Sequence, residues 1–178
     1  MKYVFAIFIS ILLSGCLAKQ SPQTTYYELS TPKKELNRCD RRSDVFIHVQ
    51  KIKSLSPYQT RNIIYKDGLE LSYLQNVKFI AYPSDMIYKA LILYLDQNCH
   101  IKERSDAQVS LEITLLDIGV TQNTAYIEIL AKLTDKDKII LNKFLSAKTT
   151  TTSSVAEALN ASLETVFGDL HSILNEML

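Results

Sequence analysis

The chain has few glycines and almost no net charge, and each of these features argues against a class of function. Its four glycines form no Gly-rich phosphate-binding loop. A formal net charge of +1 argues against a nucleic acid partner, since phosphate backbones are bound by clusters of Lys and Arg. The sequence also has no nucleophile elbow and no paired-histidine metal motif, because His48, His100 and His171 lie far apart. We therefore expect no enzymatic activity, no cofactor and no metal site.

The N-terminal apolar run is too short for a stable transmembrane helix. It extends from Tyr3 to Leu13, whereas a helix needs roughly 20 apolar residues to cross a hydrocarbon core of about 30 Å. Lys2 before this run and Ser14-Gly15 after it complete the three zones of an export signal. The sequence therefore predicts a signal peptide over residues 1–15. An ordinary secreted protein and an uncleaved anchor remain as alternatives.

Cys16 follows the predicted signal directly. The sequence Leu13-Ser14-Gly15-Cys16 resembles the lipobox of bacterial lipoproteins, in which the signal is cut before the cysteine and its thiol is diacylated. Palmitate-like chains on Cys16 would hold the protein firmly, because each buried methylene adds about 0.8 kcal/mol of membrane affinity. Leu17, where an Asp would favour retention in the inner membrane, resembles the sorting pattern for the outer membrane. The inner membrane stays open as an alternative.

The remaining chain is predicted to consist of a tether and one domain. Residues 16–25 hold the lipidated cysteine and a polar tether, and residues 26–178 form a single periplasmic domain. Removal of the signal takes away Lys2 and lowers the formal net charge from +1 to 0. Cys39 and Cys99 lie in a compartment where disulfides persist, but sequence alone does not decide between a bridge and two unpaired thiols.

Hydrophobic periodicity predicts strands in the first half, a helix, three further strands and a long closing helix. Asp67-Gly68 between β-prone segments predicts a hairpin whose two turn residues adopt positive φ. Pro83 begins a helix with apolar residues at helical spacing, which ends near Asn98. The later strands are expected over residues 109–120, 124–133 and 139–147, and Ser154 begins the last helix with a capping box.

This order of elements predicts an α+β fold. We expect a two-layer sandwich with a mostly antiparallel sheet and two amphipathic helices on one face of it. The charged segment from Asp135 to Lys138 is expected to be a solvated hairpin tip between the last two strands.

The span from Tyr26 to Leu95 resembles the auxiliary lipoproteins of ABC-type lipid transport systems, the PqiC-like family. The resemblance lies in an ordered set of residues: Tyr26, Tyr27, Leu29, Ile47, Val49, Leu55, Tyr58, Arg61, Ile63, Tyr65, Ala81, Pro83, Met86, Ala90, Leu91 and Leu95. The family usually has Trp before the Ala-x-Pro segment, and Phe79-Ile80 stands there in this chain.

This resemblance implies a non-catalytic subunit that works with an ABC ATPase, a permease and a periplasmic MCE-domain protein. It leaves phospholipid open as a ligand. An alternative from another class is a structural or assembly lipoprotein of the LptE-like or secretin-pilot type, which stabilises an outer-membrane complex and moves no lipid.

The sequence has ten tyrosines and no tryptophan, and tyrosine is enriched at protein interfaces. Most of these tyrosines are accounted for by strand propensity and by packing between sheet and helices. The most exposed candidates for partner contact are Tyr58, the Asp67-Gly68 turn, and Tyr82 beside Pro83. For Tyr82, an alternative role in holding the start of the helix is equally open.

Overall fold

The computed structural model describes residues 22–31, 45–98, 100–151 and 154–178. Cys16, Cys39 and Cys99 lie outside these ranges, so the predictions for the signal peptide, for lipidation and for a disulfide stay predictions. Within them, no helix is long and apolar enough to cross a membrane.

The described chain forms nine strands and two helices. The elements are β1 (Thr25–Tyr27), β2 (Val45–Val49), β3 (Lys53–Ser54), β4 (Asn62–Asp67), β5 (Glu70–Phe79), α1 (Pro83–Asn98), β6 (Ile101–Glu103), β7 (Val109–Val120), β8 (Thr124–Asp135), β9 (Lys138–Thr150) and α2 (Val155–Met177). The predicted α+β fold with a mostly antiparallel sheet is confirmed.

A three-stranded meander of β7, β8 and β9 forms the longest part of the sheet. Its strands pair antiparallel over nearly their full length. On the other side of β7, three short strands follow one another, all parallel to it: β2 near its start, β3 beside its middle and β4 at its end. The branch continues from β2 to β6, and from β4 through β5 to β1. The parallel pairings were not predicted, because each involves only one to three residues.

Both helices cover one face of this sheet and form the core with it. Alternate residues of β7 and β8, such as Leu111, Ile113, Ile127 and Ile129, point to the helices and are fully buried. The other face of the sheet carries the intervening residues, and we call it the outer face. The division into a buried face and an outer face thus follows from the alternation of side chains along each strand, in which every second residue points to the same side.

The start of α2 agrees with the predicted capping box. The Ser154 hydroxyl oxygen accepts a hydrogen bond of 3.1 Å from the backbone N–H of Glu157, which satisfies one of the free donors of the first turn. The buried apolar residues of α2 extend from Ala158 to Leu174, whereas Met177 at its end is exposed.

Candidate partner-binding surface

The β4–β5 hairpin carries a row of exposed apolar side chains. Leu69 lies in the turn, and Leu71 and Tyr73 follow it at alternate positions of β5, so Leu71 and Tyr73 lie on one face of the strand. The three side chains are 103%, 52% and 53% exposed. Tyr73 lies opposite Ile64 and Leu71 opposite Lys66, which places the row on the outer face of the sheet, away from the helices.

The turn of this hairpin lies one residue later than the sequence predicted. Asp67 pairs with Glu70 in the ladder, so the central turn residues are Gly68 and Leu69. Only Gly68 has positive φ, at 58°, as a type II′ turn requires, and the prediction of two positive φ angles was wrong. Asp67 remains part of the ladder, because Gly68 after it supplies the positive φ that the turn needs. The turn thereby presents Leu69 at its tip.

The edge of β5 beside this row has no neighbouring strand among the described residues. β1 pairs with β5 only from Val77 to Phe79, so the segment from Glu70 to Tyr73 pairs with β4 alone among the described strands. Its outward N–H and C=O groups can therefore accept another strand. An apolar row and a free backbone edge occur on the same hairpin.

A polar cluster near the turn of the hairpin joins β4 to β7. Lys66 on β4 donates a hydrogen bond to the Asp117 carboxylate on β7 and forms an ion pair with it. Their side chains are only 26% and 13% exposed. The Lys66 Nζ atom also lies 4.9 Å from the ring centroid of Tyr126 and 6.0 Å from that of Tyr58. We call these four side chains the outer-face cluster.

The pKa shifts in the outer-face cluster follow from burial and from the ion pair. Burial alone would lower the pKa of Lys66, but the hydrogen bond to Asp117 and the neighbouring Tyr126 outweigh it, so this pKa lies above its ordinary value. Burial, and then the charge of Asp117, raise the pKa of the Tyr126 hydroxyl well above its ordinary value. Burial and the neighbouring Asp117 also raise the pKa of Tyr58. At neutral pH Lys66 is therefore protonated, and the phenols of Tyr126 and Tyr58 are neutral.

Gly119 makes room for this cluster. A Cβ atom there would lie 2.6 Å from the backbone oxygen of Ile64 and 2.7 Å from the Tyr126 hydroxyl oxygen. The absence of a side chain lets β4 and the ring of Tyr126 approach β7 closely. The hairpin thus rests on a site that only glycine fits.

The structure places the other two predicted tyrosines, Tyr58 and Tyr82, at different sites. Tyr58 is half-buried in the outer-face cluster, beside Lys66 of the hairpin. Tyr82 is 51% exposed and lies in a surface groove of about 930 Å³ before α1. Its carbonyl oxygen accepts hydrogen bonds from the N–H groups of Asp85 and Met86, so it also holds the start of α1. Pro83, the first residue of α1, is buried.

Sequence reasoning missed Leu69, Leu71 and Tyr73 as a surface row. The signal was present as apolar residues at every second position after an Asp-Gly pair, but alternation does not tell which face of a strand is covered. It also missed the pair of Lys66 and Asp117, which lie 51 residues apart.

None of the described ranges brings together three His, Cys, Asp or Glu side chains that could hold a metal ion. His48 lies 3.6 Å from the Glu103 carboxylate, and the ring of His171 lies edge-on to Tyr94.

Comparison with known proteins identifies relatives by fold. No protein-family model matches the chain, and no curated protein matches it closely in sequence. Among solved structures, an uncharacterized protein superposes with a TM-score of 0.69 at 10% identity, covering 88% of this chain and 99% of the other. A hypothetical protein from Chlamydia trachomatis gives 0.58 at 6% identity, covering 76% and 98%.

A protein from Xanthomonas campestris of the DUF330 family is also similar. It superposes with a TM-score of 0.65 at 14% identity, covering 85% of this chain and 92% of its own. Identities this low establish a common fold and nothing finer. The fold of this chain is therefore shared with a DUF330 protein, which is consistent with the PqiC-like resemblance of its sequence.

Proposed function

We propose that this chain is a membrane-anchored, non-catalytic periplasmic subunit of an ABC/MCE-type lipid transport system. It is held to the outer membrane by acyl chains on Cys16 and binds the periplasmic MCE-domain partner through the β4–β5 hairpin. The observation that carries the proposal is the row Leu69, Leu71 and Tyr73 beside a strand edge that has no neighbour in the described part of the chain. The PqiC-like resemblance and the DUF330-like fold support the class of system.

The hairpin favours an extended segment of the partner as the occupant. A partner strand added at the edge from Glu70 to Tyr73 would satisfy the outward backbone groups of this part of β5. The same partner could cover Leu71 and Tyr73, because burial of apolar side chains supplies affinity at about 25 cal/mol per Å². The net charge of the chain is close to zero, so we expect salt to weaken this complex only slightly.

Site-specific photo-crosslinking in the native host tests this surface. A photoreactive phenylalanine analogue replaces Leu71 in the full-length protein, and cross-linked products are identified by mass spectrometry. The matched control carries the analogue in place of Phe144 on β9, which is equally exposed at 51% and lies far from the hairpin in sequence. We expect a cross-link to an MCE-domain or permease subunit from position 71 and not from position 144. Equal yields from both positions would refute the hairpin as the contact surface.

The anchor is tested separately through Cys16. We expect Cys16→Ala to remain unprocessed or to leave the membrane fraction. Unchanged processing together with unchanged membrane fractionation would contradict lipidation at this residue.

A further inference from the structure

A small basic pocket lies on the outer face of β1, β5 and β4. Lys78 on β5 lies directly opposite Tyr26 on β1 and Asn62 on β4, so these three side chains form one row across three strands. The pocket that they line with Arg61 and Tyr82 has a volume of about 280 Å³. Its position follows from the strand register, since paired residues share a face.

Arg61 is held firmly at the wall of this pocket. Its Nε atom donates a hydrogen bond of 3.0 Å to the carbonyl oxygen of Phe79, and its own carbonyl oxygen accepts one of 2.7 Å from the Phe79 N–H. The guanidinium also lies 5.5 Å from the ring centroid of Tyr26. Its terminal amino groups make no further hydrogen bond to the described part of the chain. A fixed guanidinium of this kind has donors in a planar fork, which suits the oxygens of a phosphate.

The pocket has two cations and no acid. No Asp or Glu is among its lining residues, and neither Arg61 nor Lys78 forms an ion pair within the described ranges. In contrast, Lys53, Lys66 and Lys89 each pair with a carboxylate. The side chains of Tyr26 and Tyr82 are about half exposed, so their hydroxyl groups can add hydrogen bonds to a bound group. This chemistry fits an anion with several oxygens.

The position of Tyr26 in the sequence favours a lipid as the source of that anion. Nine residues separate it from Cys16, and they reach about 30 Å at full extension. Acyl chains on Cys16 would therefore hold the pocket close to a membrane surface. Tyrosine is also enriched where one end of a side chain is apolar and the other is wet, as at a bilayer surface.

We propose that Arg61 and Lys78 bind the phosphate of a phospholipid headgroup, with the hydroxyl groups of Tyr26 and Tyr82 as further donors. Arg61 binds two phosphate oxygens, and Lys78 supplies the second charge. The proposal rests on the proposed membrane attachment in one respect, which is that a lipid supplies the phosphate. It deepens the proposed function by giving the subunit a lipid contact apart from the hairpin.

The test is calorimetric titration of the full-length protein in a neutral maltoside detergent. Three probes are compared: dihexanoyl phosphatidylglycerol, inorganic phosphate, and dihexanoylglycerol, which lacks the phosphate. We expect the phosphatidylglycerol to bind at least about tenfold more tightly than dihexanoylglycerol, because loss of a charge-assisted hydrogen bond has an effect of this size. We also expect it to bind more tightly than inorganic phosphate, because only the lipid has an apolar part that can contact the rings of Tyr26 and Tyr82. Phosphate that binds as tightly as the lipid would make this a free-phosphate site and overturn the proposal. Dihexanoylglycerol that binds equally well would overturn it too.

Variants then locate the binding site. Lys78→Gln should weaken phosphatidylglycerol binding about tenfold, whereas Lys143→Gln, which removes an exposed charge on β9, should leave it unchanged. Arg61→Lys keeps the charge and removes the planar fork, and should weaken binding similarly. Unchanged binding in both Lys78→Gln and Arg61→Lys would overturn the assignment. Because the titration needs neither a partner nor the anchor, its failure is distinct from failure of the hairpin cross-link.

Discussion

Removal of Lys66 should destabilise the protein far more than removal of an exposed lysine. Lys66→Met removes the lysine partner of the Asp117 carboxylate on β7. This carboxylate is only 13% exposed, so water can replace the lysine only in part. Breaking a buried ion pair costs 3–5 kcal/mol, and breaking an exposed one costs about 0–1 kcal/mol. Since 26% of Lys66 is exposed, we expect about 3 kcal/mol, near the lower end of the buried range.

The two partners should not be equivalent. Asp117→Leu leaves Lys66 behind, but its long side chain can carry the ammonium group to solvent, so we expect a cost of only about 1–2 kcal/mol. The double variant Lys66→Met/Asp117→Leu removes both charges and should lie within about 1 kcal/mol of the unsubstituted protein. Lys89→Met is the matched control, because its pair with Glu28 is 67% and 51% exposed.

Urea unfolding followed by far-ultraviolet circular dichroism measures these costs, and the chain contains no tryptophan to follow instead. With a slope of about 2 kcal/mol per molar urea, Lys66→Met should lower the midpoint by about 1.5 M. A Lys66→Met midpoint no lower than that of Lys89→Met would refute the argument from burial. So would a double variant less stable than both single variants.

Three further predictions concern stability. The free energy of unfolding should fall as pH rises above about 10. Lys66 and Tyr126 have raised pKa values in the folded chain, so above this pH they keep protons there that they lose in the unfolded chain. A free energy of unfolding that stays constant up to pH 11 in a denaturation series contradicts this. Gly119→Ala should lower stability by about 1–3 kcal/mol through its clash with Ile64, whereas Gly168→Ala, with no atom nearer than 3.9 Å, should raise it by up to about 1 kcal/mol; thermal unfolding of both variants measures the difference. A bridge between Cys39 and Cys99 should give faster gel migration without reductant than with it, and equal mobility together with two alkylated thiols would exclude it.

Local sequence signals predicted the elements whose structure depends on neighbouring residues. The strand over 109–120 and the start of α1 at Pro83 were predicted at the observed residues, because alternation and cap chemistry act within a few positions. The hairpin tip at Asp135–Lys138 is also confirmed, and Lys136 and Asp137 both adopt positive φ there. The meander and the closing helix could therefore be predicted from the sequence alone.

The candidate sites could not be predicted in the same way, because they depend on pairings between distant strands. Lys78 meets Tyr26 only through the parallel pairing of β1 with β5, which involves three residue pairs. Lys66 meets Asp117 only because β4 docks at the end of β7 through a single residue pair. Such short parallel contacts leave no periodic signal in a sequence. The predicted residues Tyr58 and Tyr82 lie at these two sites. The charged side chains that give the sites their chemistry were found only in the structure.

Affinity capture tests the proposed transport role most directly. The tagged full-length protein is isolated from solubilised membranes of its host, beside a variant with Leu71→Asp and Tyr73→Asp on the hairpin row. We expect MCE-domain and permease subunits with the unsubstituted protein and their loss with the variant, because two carboxylates on this row would have to be desolvated on binding. A reproducible capture of secretin or barrel-assembly components alone, equal for both proteins, would contradict the account.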